Sequence, residues 1–137
     1  MPHHHILIVD DDEDDRFLLQ GGFSQAGYSG HLKFVASVEA ALKHLQQLSP
    51  PFYPSLIVLD FNRTGPNGSE LLSHVHQMEE GHSIRLVFYT KGMRPLVREL
   101  LLGCGAAACL EKPSTPKEVP SVVQSLLGLI HNPITRE

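Results

Sequence analysis

Leu56-Ile57-Val58-Leu59 is an unbroken apolar run that stops on a carboxylate, Asp60, and its reading settles how the rest of the chain is organised. Four consecutive branched side chains leave no polar face. That suits a strand buried on both sides, as in a parallel sheet covered by helices. Ile6-Leu7-Ile8-Val9 has the same form and runs into Asp10-Asp11-Asp12. Leu32-Lys33-Phe34-Val35, Leu86-Val87-Phe88-Tyr89 and a weaker run from Ala107 to Leu110 complete five strand-like segments.

Amphipathic stretches separate them. From Ser37, the residues Val38, Ala41, Leu42, Leu45 and Leu48 recur at helical steps, with Ser37 as N-cap. Asn67 to Gln77 reads likewise through Leu71, Leu72 and Val75, with Asn67 as cap and Glu70 three residues on. Thr115-Pro116-Lys117-Glu118 has the pattern of a capping box with Pro at the first helical position. Strand–helix–strand units repeating at about 25 residues imply right-handed crossovers and a doubly wound α/β fold. Two features resist this scheme. Gly21-Gly22 falls inside the first helix, where each Gly costs about 1 kcal/mol relative to Ala. Pro120 lies a turn into the last helix if that helix begins at Pro116.

At 137 residues, with 42% hydrophobic and 19% charged, the chain has the length of one domain and enough apolar side chains for a core. Its net charge of −4 argues against nucleic acid as a partner, which needs a concentrated basic face. No run approaches the roughly 18 apolar residues of a membrane span. The N-terminus, His3-His4-His5 followed directly by a strand, is unlike a signal peptide. Two cysteines, Cys104 and Cys109, are too few for a disulfide framework. These features describe a small soluble protein, expected in the cytoplasm.

In an open parallel sheet, ligands bind at the carboxyl ends of the strands. Those ends bring together Asp10, Asp11 and Asp12 from the first strand, Asp60 from the third, Thr90 from the fourth and Lys112-Pro113 from the fifth. Carboxylates held within a few Å repel one another, so the group takes up a proton or recruits a cation. Hard oxygen ligands favour Mg²⁺. A carboxylate beside Mg²⁺ and Lys can attack an electrophilic phosphorus, with metal, ammonium and the Thr90 hydroxyl stabilising the transferring group. The residue types thus describe a phosphoryl-acceptor site.

From about Ile6 to Ile130 the sequence resembles the receiver domain of two-component response regulators, of the stand-alone, single-domain type. The resemblance lies in Ile-Leu-Ile-Val-Asp-Asp ending at Asp11, Leu-Ile-Val-Leu-Asp ending at Asp60, Thr90 placed 30 residues later, and Leu-Glu-Lys-Pro at Lys112-Pro113. Cys104-Gly105-Ala106 and Gly68 match lesser family positions, and the acidic run Asp10 to Asp15 with Arg16 matches the stand-alone members. The resemblance implies a flavodoxin-like fold with a five-stranded parallel sheet in the order 2-1-3-4-5 and helices on both faces. It implies Asp60 as the phosphorylated residue, Asp11 as a direct Mg²⁺ ligand, Asp10 as its support, Asn62 as a backbone-carbonyl ligand, and Thr90 and Lys112 as contacts to phosphoryl oxygens. It also implies a donor: phosphohistidine on a sensor histidine kinase or a histidine phosphotransfer protein. Such a protein catalyses only its own phosphorylation and dephosphorylation. The receiver domain is expected over residues 1–131, followed by a short tail, 132–137. No DNA-binding output domain is then expected, and output falls to the surface of the fourth helix, fifth strand and fifth helix.

Three departures from the family stand out. Cys109 occupies the fifth-strand position where an aromatic usually reports activation by changing rotamer, which a small thiol cannot do. Lys91 follows Thr90 where a small residue is common. Gly92 puts no side chain over the phosphoryl group, so water is expected to reach the acyl phosphate and shorten its life.

Competing readings belong beside these. Asp12, Asp14 and Asp15 read as a solvated, helix-capping run. An EF-hand fails, because Asp15 stands where its Gly and Gly21 where its bidentate Glu belong. His74 and His76 are two apart on a helix and face different ways. His3 to His5 are read as a flexible terminus before a metal site. Cys104 and Cys109 read as buried thiols rather than a redox pair. The apolar face of Val97, Leu100 and Leu101 fits either core or a homodimer interface. The functional alternatives are a phosphorylation-dependent switch acting on a downstream protein, a phosphorelay carrier, and a degenerate receiver that binds a protein without phosphorylation.

Overall fold

The computed structural model describes residues 5–61, 67–78 and 83–131. In chain order the elements are β1 (His5–Val9), α1 (Glu13–Gln25), β2 (His31–Val35), α2 (Val38–Gln46), a 3-10 turn (Pro50–Phe52), β3 (Leu56–Asp60), α3 (Asn67–Gln77), β4 (Arg85–Thr90), α4 (Pro95–Gly103), β5 (Ala108–Glu111), a second 3-10 turn (Pro116–Glu118) and α5 (Val119–His131). The five strands pair in parallel in the order β2-β1-β3-β4-β5. This is the expected 2-1-3-4-5 sheet.

Side-chain alternation along each strand builds two cores. Leu7, Val9, Ile57, Leu59, Leu86 and Phe88 meet α2, α3 and α4 through Ala41, Leu45, Leu71, Val75 and Leu101. Ile6, Ile8, Leu56, Val58, Val87 and Tyr89 meet α1 and α5 through Leu19, Phe23, Val123 and Leu126. Every residue of Ile6–Val9 and Leu56–Leu59 is 0% exposed, so the unbroken runs are apolar because both faces of those strands are covered.

Both anomalies of the sequence have structural causes. A Cβ on Gly22 would lie 2.6 Å from Val119 Cγ1 and 2.8 Å from Val123 Cγ2, so the missing side chain is what lets α1 and α5 approach. Pro120 is the second residue of α5, because the capping motif closes a separate 3-10 turn and the helix proper starts at Val119. An N–H there has no intrahelical acceptor, so Pro forfeits nothing. The Glu118 carboxylate accepts from the backbone N–H groups of Ser114 (2.8 Å) and Thr115 (3.1 Å), as the capping-box reading requires.

Smaller differences follow from packing. Asn67 is the first residue of α3 rather than its cap. The Val97, Leu100, Leu101 face divides: Leu101 is buried, Val97 packs against the core, and Leu100 is 60% exposed. Cys109 is buried as expected, but Cys104, at the end of α4, is exposed.

Candidate functional site

The site forms where β1, β3, β4 and β5 end, and the backbone places each group. Asp10 follows β1, with its N–H donating to Val35 O at 3.0 Å. Its Oδ1 accepts from the Asp12 N–H at 2.9 Å, and Arg16 Nε donates to its carbonyl at 2.9 Å. The Arg16 guanidinium lies over the Phe34 ring, 5.9 Å from its centroid. Asp12 caps α1, its Oδ1 accepting from the N–H groups of Asp14 (2.8 Å) and Asp15 (3.1 Å). Asp15 is thus the third residue after the cap, the position whose side chain can turn back over the helix start.

Asp60 and Thr90 are the last residues of β3 and β4, each 1% exposed. Lys112 follows β5, with its N–H donating to Thr90 O at 3.0 Å. Its ammonium donates to Asp60 Oδ2 at 2.6 Å, to Asp10 Oδ2 at 3.4 Å and to the Asp15 carboxylate. It also lies 5.5 Å from the centroid of the Tyr89 ring. Asp10, Asp15 and Asp60 each present an oxygen within 4.8 Å of the others.

Burial pushes the Asp10 carboxyl up to about 6, the Asp12 N–H and Lys112 pull it back, and the charges of Asp15 and Asp60 raise it further. Burial works against the Lys112 ammonium, but hydrogen bonds to Asp15 and Asp60 and the charge of Asp10 outweigh it and raise its pKa. Burial first, then the three aspartates, raise the Tyr89 phenol, which stays protonated. Three carboxylates share one ammonium, so with all of them ionised two negative charges are left over. This hard-oxygen group can hold a divalent cation. At the end of the strand that pairs with that of Asp60, Thr90 Oγ1 is buried with no hydrogen-bond partner among the described residues. An orphaned hydroxyl of this kind has a donor available for an oxygen bound at these strand ends.

The sequence-derived residues Asp10, Asp60 and Lys112 meet, and Thr90 ends the strand next to Asp60. Asp11 is exposed and lies outside the group of three. Asn62 lies outside the described residues. The expectation for Asp15 needs correction: it is not a solvated capping residue but pairs with Lys112 inside the acidic group. Its position three residues after a capping Asp was the available signal, lost within a run of six acidic side chains. Asp12 is the cap, and Asp14 is exposed, as read.

Around the site, Lys91 and Gly92 are exposed, and Gly92 has φ +66°, a left-handed conformation that disfavours other residues. Cys109 is buried with its thiol pKa raised by burial and partly offset by Arg98, whose Nη1 donates to Cys109 O at 2.9 Å. Arg98 thereby ties α4 to β5.

Comparison with known proteins agrees with this geometry. The family described as the response regulator receiver domain matches residues 6–124. The chain belongs to that family. Receiver domains are phosphoacceptor signalling modules, phosphorylated by histidine kinases, rather than enzymes acting on a diffusing substrate. Among solved structures, a response regulator from Hahella chejuensis is 22% identical, with 93% of this chain and 95% of that one covered at a TM-score of 0.82. The response regulator RPA3017 in red light signaling of R. palustris is 22% identical, with 98% and 100% covered and a TM-score of 0.80. The Mn²⁺-bound form of response regulator Rcp1 is 25% identical, with 96% and 97% covered and a TM-score of 0.79. No curated protein matches the receiver by sequence. Among the described residues no helix is long and apolar enough to cross a membrane.

Proposed function

We propose that this receiver accepts a phosphoryl group on Asp60 from phosphohistidine of a sensor kinase or phosphotransfer protein, in the cytoplasm, and signals through protein–protein contact. The observation that carries the reading is the meeting of Asp60 with Lys112 at 2.6 Å inside an acidic group, with the Thr90 hydroxyl at the end of the adjoining strand having no partner among the described residues. Asp10 and Asp60, with Asp11 and the Asn62 carbonyl by family likeness, would hold Mg²⁺, and Asp15 adds its charge. Mg²⁺, when bound, neutralises charge on the transferring phosphoryl oxygens.

The protein's own groups do the remainder. An Asp60 carboxylate oxygen forms a bond to phosphorus as the P–N bond of the donor breaks, and the departing imidazole regains a proton from water. Lys112 turns from its carboxylates to the incoming phosphoryl oxygens, and Thr90 donates its hydroxyl to one of them. Both contacts strengthen as charge builds on those oxygens, which is what makes them count in the transition state. Gly92 leaves a side open to water, so the phosphorylated state is expected to be short-lived. With a buried thiol at position 109, the output signal runs through backbone and helix displacement, for which the Arg98 link between α4 and β5 is placed.

Intact-protein mass after incubation with acetyl phosphate tests the reading. A Mg²⁺-dependent gain of one phosphoryl group, absent in Asp60→Asn, is the expected result. No gain would leave a receiver that binds its partner without phosphorylation.

A further inference from the structure

β1 carries a second group of ligating side chains at its other end. His5 opens β1 and His31 opens β2, and the two are Cα partners in the parallel register. Paired residues of parallel strands leave the sheet on the same face. His44 comes down from α2 onto that face, and its ring meets the His5 ring edge to face, with centroids 5.4 Å apart at 87°. The two Nε2 atoms are 3.2 Å apart. All three imidazoles line one open cleft of about 1200 Å³, with Lys33 and Tyr28 also on its wall.

We propose that His5 and His44 bind a borderline-soft divalent cation of the zinc class at the end of the sheet opposite the acidic site, with His31 farther off on the wall of the same cleft. Two nitrogens each ~2.05 Å from a tetrahedral metal lie ~3.3 Å apart, so the observed spacing is that of a ligand pair. Without metal, two neutral rings at this distance share one proton in an N–H···N bond, and the cation takes that proton's place. Burial, then the charges of His44 and His31, hold His5 down at about 4, while burial and Lys33 lower His44. Nitrogen ligands select against Mg²⁺, and carboxylates select for it, so the two ends of the sheet sort cations by class. Lys33 opposes the charge of the metal, and water completes the coordination from the cleft, so the site is open and weaker than a closed structural one.

The test uses the full chain, stripped with chelator and titrated calorimetrically with Zn²⁺ at pH 7.5 in saturating Mg²⁺, which blocks the oxygen site. One equivalent is expected to bind. His44→Gln should weaken it at least tenfold while Mg²⁺ binding and the far-UV circular dichroism stay as in the wild type. His74→Gln and the double change His3→Gln/His4→Gln should leave it unaltered. Absence of Zn²⁺ binding, or binding that survives His44→Gln and disappears with His3 and His4, would overturn the proposal in favour of simple chelation by the N-terminal histidine run.

Discussion

Lys112 donates to Asp15 as well as to Asp60, so a helix-start carboxylate shares the ammonium that the buried carboxylate at the end of β3 uses. Asp15→Asn removes one of the three charges that draw a cation and leaves Lys112 to Asp60 more fully. Divalent affinity should fall roughly three- to tenfold, on the order of 1 kcal/mol for one charge a few Å away in a half-wet site. Calorimetric Mg²⁺ titration measures this. Unchanged affinity would make Asp15 a partner of Lys112 only.

Thr90 has an opposite pair of effects built into one atom. Its buried hydroxyl makes no hydrogen bond among the described residues, and an unsatisfied group of this kind costs about 1–3 kcal/mol. Thr90→Val keeps the shape and removes that cost. The resting protein should become more stable by roughly 1 kcal/mol in urea. Its phosphorylation by acetyl phosphate should slow at least tenfold, while Thr90→Ser should keep most of the rate.

The adjacent glycines of α1 should respond with opposite sign. A Cβ at Gly21 meets nothing within 4 Å, so Gly21→Ala should stabilise by about 1 kcal/mol through helix propensity. At Gly22 the Cβ would meet Val119 and Val123 at 2.6 and 2.8 Å, so Gly22→Ala should destabilise by about 1–3 kcal/mol. Urea midpoints of the two variants decide this directly.

Acid should reveal the histidine pair. The folded pKa of His5, about 4, lies below its ordinary 6.5, so between those values the unfolded chain binds a proton that the folded one declines. The stability is therefore full above 6.5 and is lost as pH falls toward 4. Asp10 acts in the other sense: its folded value of about 6 exceeds the ordinary 3.8, so the folded state gains as pH falls through that window. The two partly cancel in the wild type. The double variant His5→Gln/His44→Gln should thus gain stability relative to the wild type between pH 7 and 4.5, on the order of 1–2 kcal/mol after screening. Urea unfolding in chelator at several pH values gives the difference.

What the sequence made legible was whatever a local pattern encodes. Ile6–Val9 and Leu56–Leu59 announce buried parallel strands, and the carboxyl-end rule then gathers Asp10, Asp60, Thr90 and Lys112 at one edge. The strand order came from family likeness, because no run of residues states which strand lies beside which. What stayed hidden depends on distant partners. Gly22 makes sense only against Val119 and Val123, and His5 meets His44 across 39 residues of chain. Asp15 was hidden by its neighbours instead, one acid among six, distinguished only by the cap that aims it.

The ion pair between Lys112 and Asp10 spans 102 positions of sequence. During synthesis the aspartates leave the ribosome long before the lysine that joins them, and domains fold largely as units. A chain made only as far as β4 therefore holds the three aspartates without the lysine that pairs with them in the fold. The charge balance of the folded site is therefore assembled only after β5 has been made, however early its acids appear.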